Sequence, residues 1–174
     1  FSYGDYLRCG AIARFSPIME KVIEHANNGG YVWGICNGFQ ILCESHLLPG
    51  ALLMNDHQRF ICQNQYIVPA TGNSAITRGL EPGKALNVPI AHGEGRYYAS
   101  EEVLNELKQN DQILFKYCDA DGNITAAANP NGSIENIAGI CNKGRNVFGM
   151  MPHPERSAEE VLGNTDGRRL FESL

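Results

Sequence analysis

The sequence of 174 residues has no run of apolar residues approaching the ~20 that a membrane-spanning helix needs, so neither a spanning segment nor a membrane partner is expected. It also lacks a basic excess. With 14 Lys and Arg against 19 Asp and Glu its net charge is −5, and a surface that tracks phosphates needs the opposite balance, so no nucleic-acid partner is expected. Internal repeats, low-complexity tracts and long linkers are missing. None of the six cysteines, at 9, 36, 43, 62, 118 and 141, forms a Cys-x-x-Cys pair. Cys and His do not meet at zinc spacings, so no metal is expected. No signal-like segment opens the chain, and free thiols in a reducing cytoplasm are the expected state. The chain opens at Phe1 rather than Met, consistent with a processed form or a fragment. With 43% hydrophobic residues there is enough apolar material for one real core, and the length fits one domain.

The pattern along the chain alternates helices and strands early and turns to hairpins later. Ser16-Pro17 is a helix start, with Ser as N-cap and Pro at the first helical position. Ile18, Val22 and Ala26 follow at helical spacing, and Asn27 to Gly30 stop the helix. Tyr31 to Ile35 reads as a strand buried on both faces, and Phe39 to Leu47 as a helix. Arg59 to Val68 reads as extended, with Phe60, Cys62, Tyr66 and Val68 on one face. Ala85 to Ala91 is a strand. Ser100 caps a helix through Leu107 that turns Val103, Leu104 and Leu107 inward, and Ile113 to Cys118 is a strand. Ile134 to Cys141 and Asn146 to Met151 form two strands around a turn at Asn142 to Arg145. Ser157 to Val161 and Asp166 to Leu174 read as helical. Together these predict an α/β fold: an open, mostly parallel sheet flanked by helices, with an antiparallel excursion.

The most informative stretch joins strand to helix through Gly34-Ile35-Cys36-Asn37-Gly38, the thiol form of the nucleophile elbow. The elbow holds its central residue strained with the side chain above the sheet edge, and Gly34 and Gly38 are expected where a Cβ would collide. A thiol at a helix N-terminus feels the positive end of the dipole, which favours thiolate. The Asn37 N–H is a candidate oxyanion donor. The bland reading is one more core cysteine in an ordinary tight turn. The second signal is Gly149-Met150-Met151-Pro152-His153-Pro154-Glu155-Arg156, with His153 and Glu155 after a strand end, where α/β enzymes place their chemistry. A nucleophilic thiol needs an imidazole partner, and the imidazole needs a carboxylate to fix its tautomer. His92, Glu94 and Arg96, in His92-Gly93-Glu94-Gly95-Arg96, form a further polar cluster, read as a tight loop with exposed side chains: a partner-docking loop, part of the site rim, or a solvated turn. His46 and His57 have no ligand-like neighbours.

These residues resemble the class I glutamine amidotransferases, which have a flavodoxin-like fold and a Cys–His–Glu triad in an elbow of this form. Phe1-Ser2-Tyr3-Gly4-Asp5, Gly34 to Gln40, Ala91 to Arg96, Asn129 to Ser133 and Met150 to Arg156 are similar to the branch that serves as glutaminase subunit of phosphoribosylformylglycinamidine synthase. The resemblance spans essentially the whole chain. It implies Cys36 as nucleophile, His153 as general base and acid, Glu155 as the orienting carboxylate, and Gln40 and Gly34 at the substrate glutamine. It further implies ammonia transfer to a synthetase subunit assisted by a small accessory subunit, ATP and Mg used there, no cofactor in this subunit, and a cytoplasmic location. In that branch a βαβ unit of roughly 30 or more residues, and a glycine that supplies a second oxyanion donor, precede the counterpart of Phe1. Residues 1–174 therefore read as a single amidotransferase domain lacking its first strands. Another class I amidotransferase, a related thiol hydrolase and a non-catalytic assembly subunit are the competing readings.

Overall fold

The computed structural model describes residues 8–174; the Phe1 to Asp5 motif lies outside them. Helix α1 (Pro17–Asn27) starts at Ser16, whose extended backbone sets the entry, and Pro17 occupies its first turn. Its buried residues are Met19 and the expected Ala26, while Ile18, expected inward, is exposed and Met19 takes its place. Strand β1 (Val32–Ile35) leads through Cys36 into helix α2 (Asn37–Glu44). Strand β1 is only partly covered: Gly34 is its one buried residue, and Tyr31 beside it is exposed. Strands β2 (Ala51–Leu53) and β5 (Arg96–Tyr98) pair antiparallel as a small separate sheet. Both are three residues long, too short for a periodic signal.

The main sheet contains β3 (Ile61–Pro69), β4 (Leu86–His92), β6 (Ile113–Cys118), β7 (Ile137–Cys141) and β8 (Val147–Met150), with β1 at its edge. Its order is β1-β8-β7-β6-β3-β4. Helices α3 (Glu101–Gln109) and α4 (Arg168–Glu172) complete the elements. The Ser100 side chain accepts the Val103 N–H, the predicted cap.

The α/β class, the flanking helices and the antiparallel excursion are present, and the parallel share is corrected. Among the described residues only β1 and β8 pair in parallel; the other neighbours in the sheet are antiparallel. The connections explain this. A tight turn such as Asn142 to Arg145 can only reverse the chain, whereas parallel neighbours need a long crossover.

Apolar side chains cover both faces of the sheet. On one, Phe39, Leu42, Leu104, Leu107, Ile140 and Val147 share a core with α2 and α3. On the other, Ile67, Val88, Ile90, Phe115, Phe148 and Leu170 share a second. Strands β7 and β8 each supply residues to both cores, which is why they read as nearly continuous apolar runs. The expected inward face of β3 is reversed at its start. Phe60 and Cys62 are exposed, and Gln65 and Ile67 are buried. Gln65 can face inward because its amide donates to the carbonyls of Cys118, at 3.3 Å, and Ala128, at 3.1 Å.

Candidate active site

The one parallel pairing builds the site. Residues Ile35 and Met150 are register partners, so β1 and β8 end together and deliver their following loops to the same sheet edge. The Cys36 N–H donates to Met150 O at 2.8 Å. The sheet then curls until the end of β4 reaches this edge: the His153 N–H donates to Pro89 O at 2.7 Å, and the Cys36 thiol lies 3.7 Å from Ala91 O. Residues 36, 91 and 153 are thus brought together by topology.

Cys36 has φ 51° and ψ −106°, a region that residues with a Cβ enter only under strain. The elbow is tolerated because Gly34 removes a clash: a Cβ there would stand 2.6 Å from Gly38 C and 2.5 Å from Leu42 Cδ1. Gly38 is different, since a Cβ on it would meet nothing within 4 Å. The expected collision at Gly38 is therefore corrected, because its Cα faces open space. Gly34 is buried between β1 and α2, and close packing there demands glycine.

The other cysteines differ in environment. Cys43, Cys118 and Cys141 are buried. Burial, aided by the neighbouring Asp119, pushes the Cys118 thiol up to about 11. Burial does the same for Cys141, which is also about 11. Neither forms thiolate near neutrality. Cys36 is only partly buried.

His153 is buried, and its Nδ1 lies 2.6 Å from Glu155 Oε1. Pro154 between them opens a short 3-10 helix, Pro154–Ser157, capped by His153, and this helical turn, not the extended turn expected, sets the two side chains together. Burial alone would lower the ring's pKa. Its interactions with Cys36 and Glu155 outweigh that and raise it to about 9. The carboxyl of Glu155 also feels burial, which raises it, but its bond to His153 wins and holds it below the usual range. The other ring nitrogen of His153, Nε2, is buried without a hydrogen-bond partner among the described residues.

The remaining expected residues line this pair. Asn37 opens α2 beside the nucleophile, and its side chain donates to Gln40 Oε1 at 2.9 Å. Gln40 is buried, and its Nε2 donates to Glu94 O at 2.6 Å. Its amide is thus occupied in tying the elbow helix to the loop after β4. The expectation of exposed side chains in that loop is corrected for His92, which is 3% exposed. Burial and the nearby His153 push its pKa down to about 4. Glu94 is half-buried and accepts the Cys9 N–H at 3.1 Å. Arg96 has a buried Nε with no hydrogen-bond partner among the described residues. The loop is packed as a wall of the site. His46 and His57 are exposed, as expected.

Sequence reasoning missed Asn55, Asn131 and Ser133, all buried. They hold the His92 loop from beneath: Asn131 Nδ2 donates to Gly95 O at 2.9 Å, and the Tyr97 N–H donates to Ser133 Oγ at 2.8 Å. A lone Asn between polar neighbours carries no periodic signal, and only the Asn129 to Ser133 similarity marked part of this network.

Comparison with known proteins gives concordant results. Residues 1–170 match the CobB/CobQ-like glutamine amidotransferase domain. The chain is 60% identical over its full length to phosphoribosylformylglycinamidine synthase subunit PurQ of Koribacter versatilis, covering 75% of that protein. It is 57% identical to the subunit of the same name from Gloeobacter violaceus, again covering 75%. Among solved structures, PurLQS from Thermotoga maritima contains a chain that superposes with a TM-score of 0.86 at 41% identity, over 99% of this chain and 74% of that one.

Proposed function

The chain belongs to the CobB/CobQ-like glutamine amidotransferase family, and from that premise we propose that it is the glutaminase subunit of a phosphoribosylformylglycinamidine synthase. It hydrolyses glutamine to glutamate and passes the ammonia to a synthetase subunit. That subunit uses ATP to make formylglycinamidine ribonucleotide in purine synthesis. The observation that carries this reading is the strained Cys36 at the start of α2 beside the buried His153–Glu155 pair.

The chemistry follows from those three side chains. The thiol proton of Cys36 rests on His153, whose raised pKa favours the imidazolium, and the sulfur attacks the side-chain carboxamide carbon of glutamine. The carbonyl oxygen becomes an oxyanion beside the start of α2, where the Asn37 N–H and the helix dipole stabilise it. The imidazolium gives its proton to the departing nitrogen, the C–N bond breaks, and ammonia leaves a glutamyl thioester. Neutral His153 then draws a proton from water, whose oxygen attacks the thioester. Collapse releases glutamate and frees the sulfur, with the proton left on His153. Glu155, at 2.6 Å from Nδ1, fixes the tautomer that points Nε2 at this chemistry and stabilises the imidazolium.

These steps call on a thiol, an imidazole and a carboxylate, and we assign no cofactor to this subunit; ATP and Mg act on the synthetase. The partners are that synthetase and a small accessory subunit. Ammonia must pass between active sites unprotonated, since ammonium is not a nucleophile. Among the described residues no helix is long and apolar enough to cross a membrane, and a cytoplasmic location suits the pathway.

A glutamine-analogue electrophile tests the assignment. Labelling confined to Cys36 and blocked by excess glutamine is the expected result. Labelling that glutamine does not compete with would favour a thiol hydrolase of other specificity.

A further inference from the structure

Beneath the site sits a residue that the glutaminase scheme does not use. Asn55 follows β2 and is 1% exposed. Its Nδ2 donates to Arg59 O at 2.9 Å and to His92 O at 3.0 Å. Its Oδ1 accepts the Gly95 N–H at 3.1 Å and lies 3.1 Å from His92 Nδ1. Its own N–H donates to Gly93 O at 2.9 Å. One side chain and its backbone therefore grip His92, Gly93 and Gly95 at once.

These partners settle which end of the amide is which. Backbone carbonyls only accept, so the atom facing Arg59 O and His92 O must be the nitrogen. A backbone N–H only donates, so the atom facing Gly95 N must be the oxygen. His92 Nδ1 then faces an acceptor and must carry the proton. In a neutral ring that leaves the lone pair on Nε2, and His92 Nε2 is buried with no partner among the described residues. The ring cannot turn away, because Gly95 packs flat against it: a Cβ at Gly95 would stand 2.3 Å from His92 Cε1. His153 is close enough to bear on the charge state of His92.

We propose that Asn55 is a positioning residue for the glutaminase reaction: it fixes His92 as the Nδ1–H tautomer and clamps the His92 to Arg96 wall over Cys36. The wall then presents a neutral acceptor beside the catalytic pair. A second imidazolium there would oppose the charge that His153 must carry, and Asn55 offers Nδ1 an acceptor without supplying the negative charge that would draw a second proton onto the ring. The Gln40 to Glu94 bond, at 2.6 Å, ties the clamped wall to the elbow helix, so a shift of the wall reaches the nucleophile.

The inference rests on the glutaminase reading, and its test separates the two. In the full-length chain bound to its synthetase, nitrogen-15 NMR of the unsubstituted protein reads the tautomer directly, with the His92 signals assigned through His92→Gln. The expected pattern is a protonated Nδ1 and an unprotonated Nε2 at neutral pH; the reverse pattern overturns the proposal without any Asn55 variant. Asn55→Ala is expected to lower kcat/KM for glutamine by about 10- to 100-fold and to leave ammonia-driven synthesis within twofold. Asn55→Asp keeps the acceptor, loses the two bonds donated to Arg59 O and His92 O, and adds charge, which favours the His92 imidazolium. Its glutamine activity is expected to be recovered in part as pH rises, which a purely structural defect would not show. Glutamine kinetics of Asn55→Ala within twofold of the unsubstituted enzyme would refute the role. A complex that uses ammonia but not glutamine before any substitution would instead refute the glutaminase reading.

Discussion

Gly34→Ala tests whether close packing under the elbow holds the nucleophile in place. The added methyl would stand 2.5 Å from Leu42 Cδ1, 2.6 Å from Gly38 C and 2.7 Å from Gly38 O. The leucine can swing its terminal methyl aside. The Gly38 backbone cannot, because it belongs to the first turn of α2. Restoring a contact of 3.4 Å requires about 0.8 Å of separation between β1 and α2, and Cys36 is the residue that joins them. Overpacking of this kind costs about 1–3 kcal/mol, and misplacing reacting atoms by about 1 Å can cost about 100-fold in rate. Urea unfolding should therefore show a loss of about 1–3 kcal/mol, and glutamine turnover in the synthetase complex should fall by one to two orders of magnitude. Ammonia-driven synthesis should be retained. Gly38→Ala is the control: its methyl meets nothing within 4 Å among the described residues, and replacing glycine within a helix should leave stability equal or raised by up to about 1 kcal/mol. If Gly34→Ala matched the control in both stability and glutamine use, the packing argument would be refuted.

Two pH experiments follow from the histidines. His153, held up to about 9 by Cys36 and Glu155 against its own burial, should keep its acid role through neutrality. The kcat/KM for glutamine should then decline above about pH 9, and Glu155→Gln should move that decline downward; an unmoved profile would contradict the pairing. His92 has its pKa depressed to about 4, chiefly by burial, so the folded state binds fewer protons than the unfolded chain between about 4 and 6.5. The stability that follows is fully present above the unfolded value and is lost as pH falls through about 4, by up to about 3 kcal/mol. Denaturant unfolding from pH 7 to 4 should be steeper in pH for the unsubstituted chain than for His92→Gln, and equal slopes would count against a buried neutral ring.

Much of the site could be read from the sequence because local constraints wrote it there. A nucleophile at positive φ between a strand and a helix needs glycine beneath it, and Gly34 shows that need. The His153 to Glu155 spacing predicts a bonded pair, and the pair is there, although a 3-10 turn opened by Pro154 brings it together where an extended turn was expected. Ser100 and the Asn142 to Arg145 turn are equally local. What was illegible depends on partners distant in sequence. The reversal of the β3 face rests on carbonyls of residues 118 and 128 that satisfy Gln65. The burial of His92 and Gln40 rests on bonds spanning 37 and 54 positions. A polar residue inside a fold looks like a surface residue until its partner is located. The sheet's direction was likewise hidden, since apolar runs buried on both faces suit parallel and antiparallel pairing alike, and the turn lengths decide between them.

The account depends most on Cys36 being the atom through which glutamine, and only glutamine, enters the reaction. The direct measurement compares nitrogen donors in the reconstituted complex carrying Cys36→Ala. Glutamine-dependent synthesis should vanish while ammonia-dependent synthesis continues at the rate of the unsubstituted complex. Equal loss with both donors would make the residue a structural one, and undiminished use of glutamine would place the chemistry elsewhere.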